Sequence, residues 1–88
     1  MSENYLNHPT FGLLFRICIV EAGGELFTTL YAQRLFFVVT NNPDGLQFDP
    51  VSRNDARIMV ENRMRSLRRT GELSEHDKLQ VIHKRTFP

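Results

Sequence analysis

The stretch "LFTTLYAQRLFFVV", residues 26–39, is largely apolar and rich in aromatic side chains, yet it carries Gln33 and Arg34 in its middle. It is much longer than an ordinary strand of about five or six residues. We therefore predict two strands, residues 25–31 and 34–40, joined by a turn or sharp bend at Gln33 and Arg34. The side chains expected to enter the core from these strands are Phe27, Leu30, Phe36 and Val38.

Strand and turn signals lie on both sides of this stretch. Apolar residues alternate through residues 13–20, which predicts a strand. Its faces would hold Leu13, Phe15, Ile17 and Ile19 on one side, and Leu14, Arg16, Cys18 and Val20 on the other. The glycines of "EAGGE", residues 21–25, suit a tight hairpin that needs positive φ.

The segment "NNPDG", residues 41–45, is the clearest turn, because Pro43 presets φ and Asp44 with Gly45 completes the reversal. A short strand, residues 46–48, is expected after it. Four or five short antiparallel strands in about fifty residues are typical of a small, strongly bent sheet or barrel of the SH3-like or Tudor-like type.

The rest of the chain predicts two helices. Ser52 and Asp55 have capping-box spacing, and Gly71 suits the end of the first helix. Apolar residues recur between them at helical spacing: Ala56, Met59, Val60, Met64 and Leu67. Ser74 and Asp77 repeat the capping pattern and predict a second, shorter helix.

The second helix has a thin apolar stripe, formed by Leu79, Val81, Ile82 and Phe87. A helix that buries so little is expected to detach without unfolding the body; a permanently docked helix is the alternative. We accordingly predict a β domain over residues 1–52 and a two-helix appendage over residues 53–88, within an α+β fold.

Composition limits the function. A chain of 88 residues can build only one modest core, and its single cysteine excludes an internal disulfide. That favours a reducing, cytoplasmic setting, and no apolar run reaches the roughly 18 residues needed to span a bilayer. Charge is uneven, because residues 1–52 hold two basic and five acidic residues whereas residues 53–88 hold nine and five.

The side chains that could carry chemistry have plainer explanations. His76 and His83 are two helical turns apart, roughly 10 Å, which is too far to share one metal, so they are predicted to be surface histidines. Cys18 lies in an apolar strand and is predicted to be a buried, unreactive thiol. With no phosphate-binding loop and no serine beside a base, we predict a protein that is not an enzyme and has no cofactor.

The basic segment, residues 53–69, has six arginines and two acids. A solvated helix face explains most such runs, and a nucleic-acid-binding Tudor-like domain that uses this helix is the alternative. The acidic β half, whose aromatic residues lack interleaved Lys and Arg, counts against the alternative.

The residues around the predicted bend, Tyr31, Gln33, Arg34 and Leu35, combine tyrosine and arginine with leucine. This mixture is typical of protein-binding hot spots. It is equally compatible with residues that simply turn the chain and pack under the helix. Composition alone leaves both interpretations open.

Four long segments resemble the cyanobacterial family of PII-interacting protein X. They are "ENYLNHPTFGLLFRICIV" (residues 3–20), "LFTTLYAQRLFFVV", "ARIMVENRMRSLRR" (residues 56–69) and "HKRTF" (residues 83–87). The resemblance covers nearly the whole chain. It implies a Tudor-like β domain followed by two helices, and a non-enzymatic adaptor of nitrogen signalling.

The resemblance also implies the partners. The adaptor would bind either the trimeric signal protein PII, when 2-oxoglutarate is scarce and ADP is present, or the dimeric transcription activator NtcA, when 2-oxoglutarate is abundant. It would act as a transcription co-activator of NtcA without contacting DNA or a membrane. Both partners would compete for one surface that includes Glu3, Tyr5, Phe15, Tyr31, Gln33, Arg34 and Leu35.

The helices have a separate role in this picture. The second helix would extend when PII is bound, and an arginine face would be a candidate site for RNA polymerase or another transcription regulator. That face consists of Arg57, Arg65, Arg68 and Arg69.

Overall fold

The computed structural model describes residues 4–20 and 23–88. Five strands form one antiparallel sheet in sequence order, and two helices follow. The elements are β1 (Tyr5–His8), β2 (Gly12–Ile19), β3 (Glu25–Thr29), β4 (Phe36–Asn42), β5 (Gly45–Val51), α1 (Arg53–Arg69) and α2 (Leu73–Thr86). The sheet is curled into a half-barrel, so the predicted α+β, Tudor-like fold is confirmed.

The sheet carries an apolar cluster on each face. The cluster enclosed by the curl consists of Leu14, Phe27, Phe37 and Val39, flanked by Leu6, Phe11 and Phe48. His8 of β1 meets Phe48 of β5 with ring centroids 4.7 Å apart, although these strands stand at opposite ends of the sheet order. On the opposite face, Ile17, Cys18, Leu26 and Phe36 pack against the helices, whose buried residues there include Ala56 and Val60.

The predicted alternation of side chains between the two faces of β2 is wrong after Arg16. A register shift between Arg16 and Cys18 marks a β-bulge, at which one strand gains a residue and its later side chains change faces. Ile17 and Cys18 therefore both join the cluster under the helices. A strict period of two cannot place neighbouring residues on the same face.

Several strand limits differ from the prediction. β3 ends at Thr29 and β4 begins at Phe36, so the connecting loop is longer than predicted. β4 continues through Asn42, and β5 extends to Val51 with Pro50 on an outer strand of the sheet, where proline is best tolerated. The short strand β1 was not predicted, because "YLNH" has no strong strand signal.

α1 follows the prediction closely. The Ser52 side chain accepts a hydrogen bond from the Asp55 N–H at 3.0 Å, and the chain leaves the helix through Gly71 at φ 81°. α2 begins two residues earlier than the predicted cap at Ser74 implies. Its N-cap is Glu72, without a side-chain hydrogen bond, so the predicted cap at Ser74 is wrong.

α2 is docked in this structure. Leu79 and Phe87 are buried, and the Phe87 ring stacks on Phe36 with centroids 5.4 Å apart. The Arg53 guanidinium lies 5.3 Å from the Phe87 ring centroid and donates a 2.7 Å hydrogen bond to the Thr86 carbonyl. The thin apolar stripe is thus supplemented by an aromatic contact just beyond the helix.

Candidate partner-binding surface

The loop between β3 and β4 is held at its base by two buried threonines. The Thr29 Oγ1 accepts a hydrogen bond from the Leu35 N–H at 2.9 Å, and the Thr29 N–H donates to the Leu35 carbonyl at 3.0 Å. The Thr28 hydroxyl donates to the same carbonyl at 3.2 Å. Because these bonds close the loop at Thr29, residues 30–34 project beyond the sheet.

The side chains of this loop are fixed as well as exposed. The Tyr31 hydroxyl donates to the Phe11 carbonyl in the turn between β1 and β2, and Arg34 donates to the Thr29 carbonyl at 3.2 Å. Tyr31 is still 47% exposed, and Gln33 and Leu35 are exposed beside it. Leu30, predicted to enter the core, is 51% exposed because it lies beyond the threonine closure.

The turn that receives Tyr31 is itself ordered by a histidine. The His8 Nδ1 accepts hydrogen bonds from the N–H groups of Thr10 at 2.9 Å and Phe11 at 3.2 Å. The His8 ring also packs against Phe37, with centroids 5.0 Å apart. Tyr31 is therefore bound to a turn that is anchored in the enclosed core.

A second group of predicted site residues lies on β1 and β2. Tyr5 pairs with Phe15 across the two strands, with ring centroids 5.6 Å apart, and Tyr5 is 51% exposed. Phe15 in turn pairs with Thr28, the residue that holds the Leu35 carbonyl. Glu3 lies outside the described residues.

The structure thus brings Tyr31, Gln33, Arg34 and Leu35 together on one loop and links that loop through Thr28 to the Tyr5 and Phe15 pair. The sequence analysis did not identify Leu13, which is exposed. Leu13 precedes Leu14 of β2, and Leu14 pairs with Thr29 of β3. Its place beside Leu30 follows from the register rather than from any sequence motif. We call the whole set the loop surface: Tyr5, Leu13, Phe15, Leu30, Tyr31, Gln33, Arg34 and Leu35.

The four arginines predicted to form a helix face are all exposed on α1. Arg57 donates to Asn54 at 2.7 Å and to Glu61 at 3.3 Å, and Arg65 donates to Asn62. Arg68 contacts His76 on α2 at 3.2 Å. These bonds leave a solvent-facing helix with excess positive charge.

The prediction that both α2 histidines are on the surface is wrong. His76 is 5% exposed, because it lies between Arg68 of α1 and Asp77 of α2. His83 is partly buried and its Nε2 lies 3.0 Å from a Glu61 carboxylate oxygen. The pKa of Glu61 is lowered, first by the hydrogen bond from His83, with Arg57 acting in the same direction. The two histidines thus help to join α2 to α1.

Cys18 is buried, as predicted, and burial raises the pKa of its thiol to about 11, against the weaker effects of Arg63 and Arg16. Within residues 4–20 and 23–88, no group of three His, Cys, Asp or Glu side chains could hold a metal ion. No helix among these residues is both long and apolar enough to cross a membrane.

A curled Tudor-like sheet followed by two helices, with Tyr31, Gln33 and Leu35 exposed on one loop, is typical of a small protein-binding domain. The family model of PipX, PII-interacting protein X, matches residues 2–87, so the chain belongs to that family. This confirms the resemblance stated above. Among the curated proteins searched, none matches the chain.

Proposed function

We propose that this protein is a non-enzymatic adaptor that binds the signal protein PII through the loop surface. Membership of the PII-interacting protein X family carries the proposal. The loop surface supports it, because Tyr31 and Leu35 are exposed while their loop is fixed by the Thr28 and Thr29 bonds. A preordered loop loses little conformational entropy on binding.

The proposal includes a second partner, the transcription activator NtcA, and a shared site. PII in its ADP state holds the adaptor when 2-oxoglutarate is scarce, and NtcA with 2-oxoglutarate accepts it when 2-oxoglutarate is abundant. In the cytoplasm the adaptor would then act as a co-activator. Since it prefers the effector-bound form of NtcA, it must tighten effector binding by the same factor.

The helices serve a separate role in this proposal. α2 is docked on the body here, and its extension in the PII complex would uncover the ring of Phe36. The exposed arginines of α1 would meet RNA polymerase or another transcription regulator. No step requires contact with DNA.

A displacement experiment tests the shared site. The protein is bound to immobilised PII with ADP, and NtcA is added with or without 2-oxoglutarate. Release of the protein by NtcA with 2-oxoglutarate, and weaker release without it, is expected. Retention of NtcA on the surface together with the protein and PII would show that the two partners use different sites.

A further inference from the structure

A groove lies between the sheet and α1, and residues 30–35 of the loop surface do not line it. A cavity of about 270 Å³ opens there, and its floor consists of Val20, Val38 and Met59. Ile19, at the end of β2, forms one lip and is 45% exposed. Val20 is buried, whereas Val38 and Met59 are partly exposed.

The other wall of the groove is polar and belongs to one face of α1. Asn62, Arg63 and Ser66 follow Met59 by three, four and seven residues, so all four project to the same side of the helix. The wall offers an amide, a guanidinium and a hydroxyl. Arg63 and Ile19 also line a neighbouring cavity of about 230 Å³, which continues along β2 toward Phe15.

The charge around the groove favours an anionic ligand. Among the described residues that line this cavity, Arg63 is the only charged one. A guanidinium beside an apolar floor can hold a carboxylate while the floor takes a bulky side chain. Polynucleotide phosphates could use the arginines, but they would gain nothing from Val20, Val38 and Met59.

We propose that this groove binds an acidic segment of a partner protein, with one bulky apolar side chain on Val38 and Met59 and a neighbouring carboxylate on Arg63. Leu13 of the loop surface and Ile19 of the groove are separated by most of β2, roughly 20 Å at strand spacing. A peptide in the groove can therefore leave residues 30–35 of the loop surface free. The groove would join a third protein to a complex already formed through the loop surface.

A titration followed by nuclear magnetic resonance tests this. The ¹⁵N-labelled full chain is titrated with a synthetic hexapeptide that has one phenylalanine among aspartates and glutamates, and with the same peptide carrying serine for phenylalanine. We expect the amide signals of Ile19, Val38 and Arg63 to shift. The serine peptide should bind at least about 10-fold more weakly.

Two matched variants separate the groove from general attraction to a basic helix. Asn62→Glu places a negative charge on the groove wall, whereas Asn54→Glu makes the same change about 12 Å away along α1. Each asparagine is exposed and accepts a hydrogen bond from an arginine three residues later. We expect Asn62→Glu to weaken binding about 10-fold and Asn54→Glu to weaken it less than twofold.

Three results would overturn the proposal. The first is no amide shift in the groove at millimolar peptide, and the second is an equal loss of affinity in the two variants. The third is self-association of the free protein that Asn62→Glu abolishes in sedimentation, since the groove would then be filled by a second copy. Tyr31→Ala should leave peptide binding unchanged whether or not the protein binds PII, so the proposed function and this inference can fail separately.

Discussion

The hydroxyl of Tyr31 donates a hydrogen bond to the main-chain carbonyl of Phe11, and this bond ties the loop after β3 to the turn after β1. The two segments are far apart in sequence and adjacent at the end of the sheet. The hydroxyl of Tyr31 is held by this bond, while nearly half of the side chain stays exposed. An exposed aromatic side chain that is already positioned is well suited to bind a partner.

Replacement of Tyr31 by alanine should weaken the complexes with PII and NtcA by about 30-fold, the minimum for a hot-spot residue. The free energy of unfolding should change little, because the side chain is 47% exposed and the threonine bonds that close the loop remain. Calorimetric titration and thermal melts measure the two effects.

Leu46→Ala is the matched control for Tyr31→Ala. Leu46 is also 47% exposed, but it lies next to the turn between β4 and β5. Its replacement should leave both affinities unchanged. An unfolded Tyr31→Ala protein, or one with full affinity for both partners, would refute the role given to Tyr31.

Replacement of Phe87 by alanine should release α2 while the sheet stays folded. The change removes the stack on Phe36 and the contact with Arg53, and a buried phenylalanine contributes about 3 kcal/mol at the low end of its range. Hydrogen exchange of α2 amides should accelerate about 100-fold, with no change in β2 and β3. Val81→Ala, at a half-exposed site on the same helix, should have no such effect.

The bond between Glu61 and His83 should make α2 docking sensitive to acid. The pKa of Glu61 is lowered in the folded state from its ordinary value of 4.5. The ionised carboxylate therefore adds to the free energy of unfolding above pH 4.5, and this stabilisation is lost as the pH falls through the lowered pKa. The effect should be small, because about a third of the side chain is exposed. Urea midpoints measured from about pH 6 down to about pH 3 should fall more for the native protein than for Glu61→Gln; parallel curves would exclude this role.

Cys18 should resist thiol reagents until the protein unfolds. With a pKa of about 11, only about one thiol in a thousand is ionised at pH 8, and the side chain is buried. Reaction with a disulfide reagent should be at least about 100-fold slower than in denaturant. Stability should also fall as the pH rises from 9.0 to about 11, since the unfolded thiol ionises first. A fast reaction in the native state would contradict the burial of Cys18.

The nucleic-acid alternative makes a different prediction from the adaptor proposal. If the arginine face bound DNA or RNA, affinity would fall steeply with salt, and replacement of Arg68 and Arg69 by glutamine would reduce the slope. We expect fluorescence anisotropy to detect no duplex binding at about 0.15 M salt. Submicromolar binding with a steep salt dependence would favour the alternative.

Local signals predicted much of the fold. The polar pair Gln33 and Arg34 placed the bend between β3 and β4, and Ser52 and Gly71 placed both ends of α1. These features depend on nearby residues, such as a cap that binds the N–H three positions later. The division into a β domain and a helical appendage after residue 52 stays a prediction.

The predictions that were wrong concern features that depend on contacts between residues far apart in the sequence. The bulge between Arg16 and Cys18 lets two adjacent side chains face the helices, which no alternating pattern encodes. Leu30 looked like a core residue, but the Thr29 to Leu35 bonds close the loop before it. His76 is buried where α2 meets α1, in contact with Arg68 of the other helix.

The candidate surface was reached in part from composition. Tyr31, Gln33, Arg34 and Leu35 could be named from the mixture of residue types, whereas their connection to Tyr5 and Phe15 requires the strand register. The identities of PII and NtcA came from the family resemblance and could not be derived from the residues.

The central claim is most directly tested by calorimetric titration of this protein into PII with ADP, repeated with ATP and 2-oxoglutarate. We expect binding in the first condition that disappears in the second. Absence of binding in both conditions, or equal binding in both, would contradict the adaptor proposal.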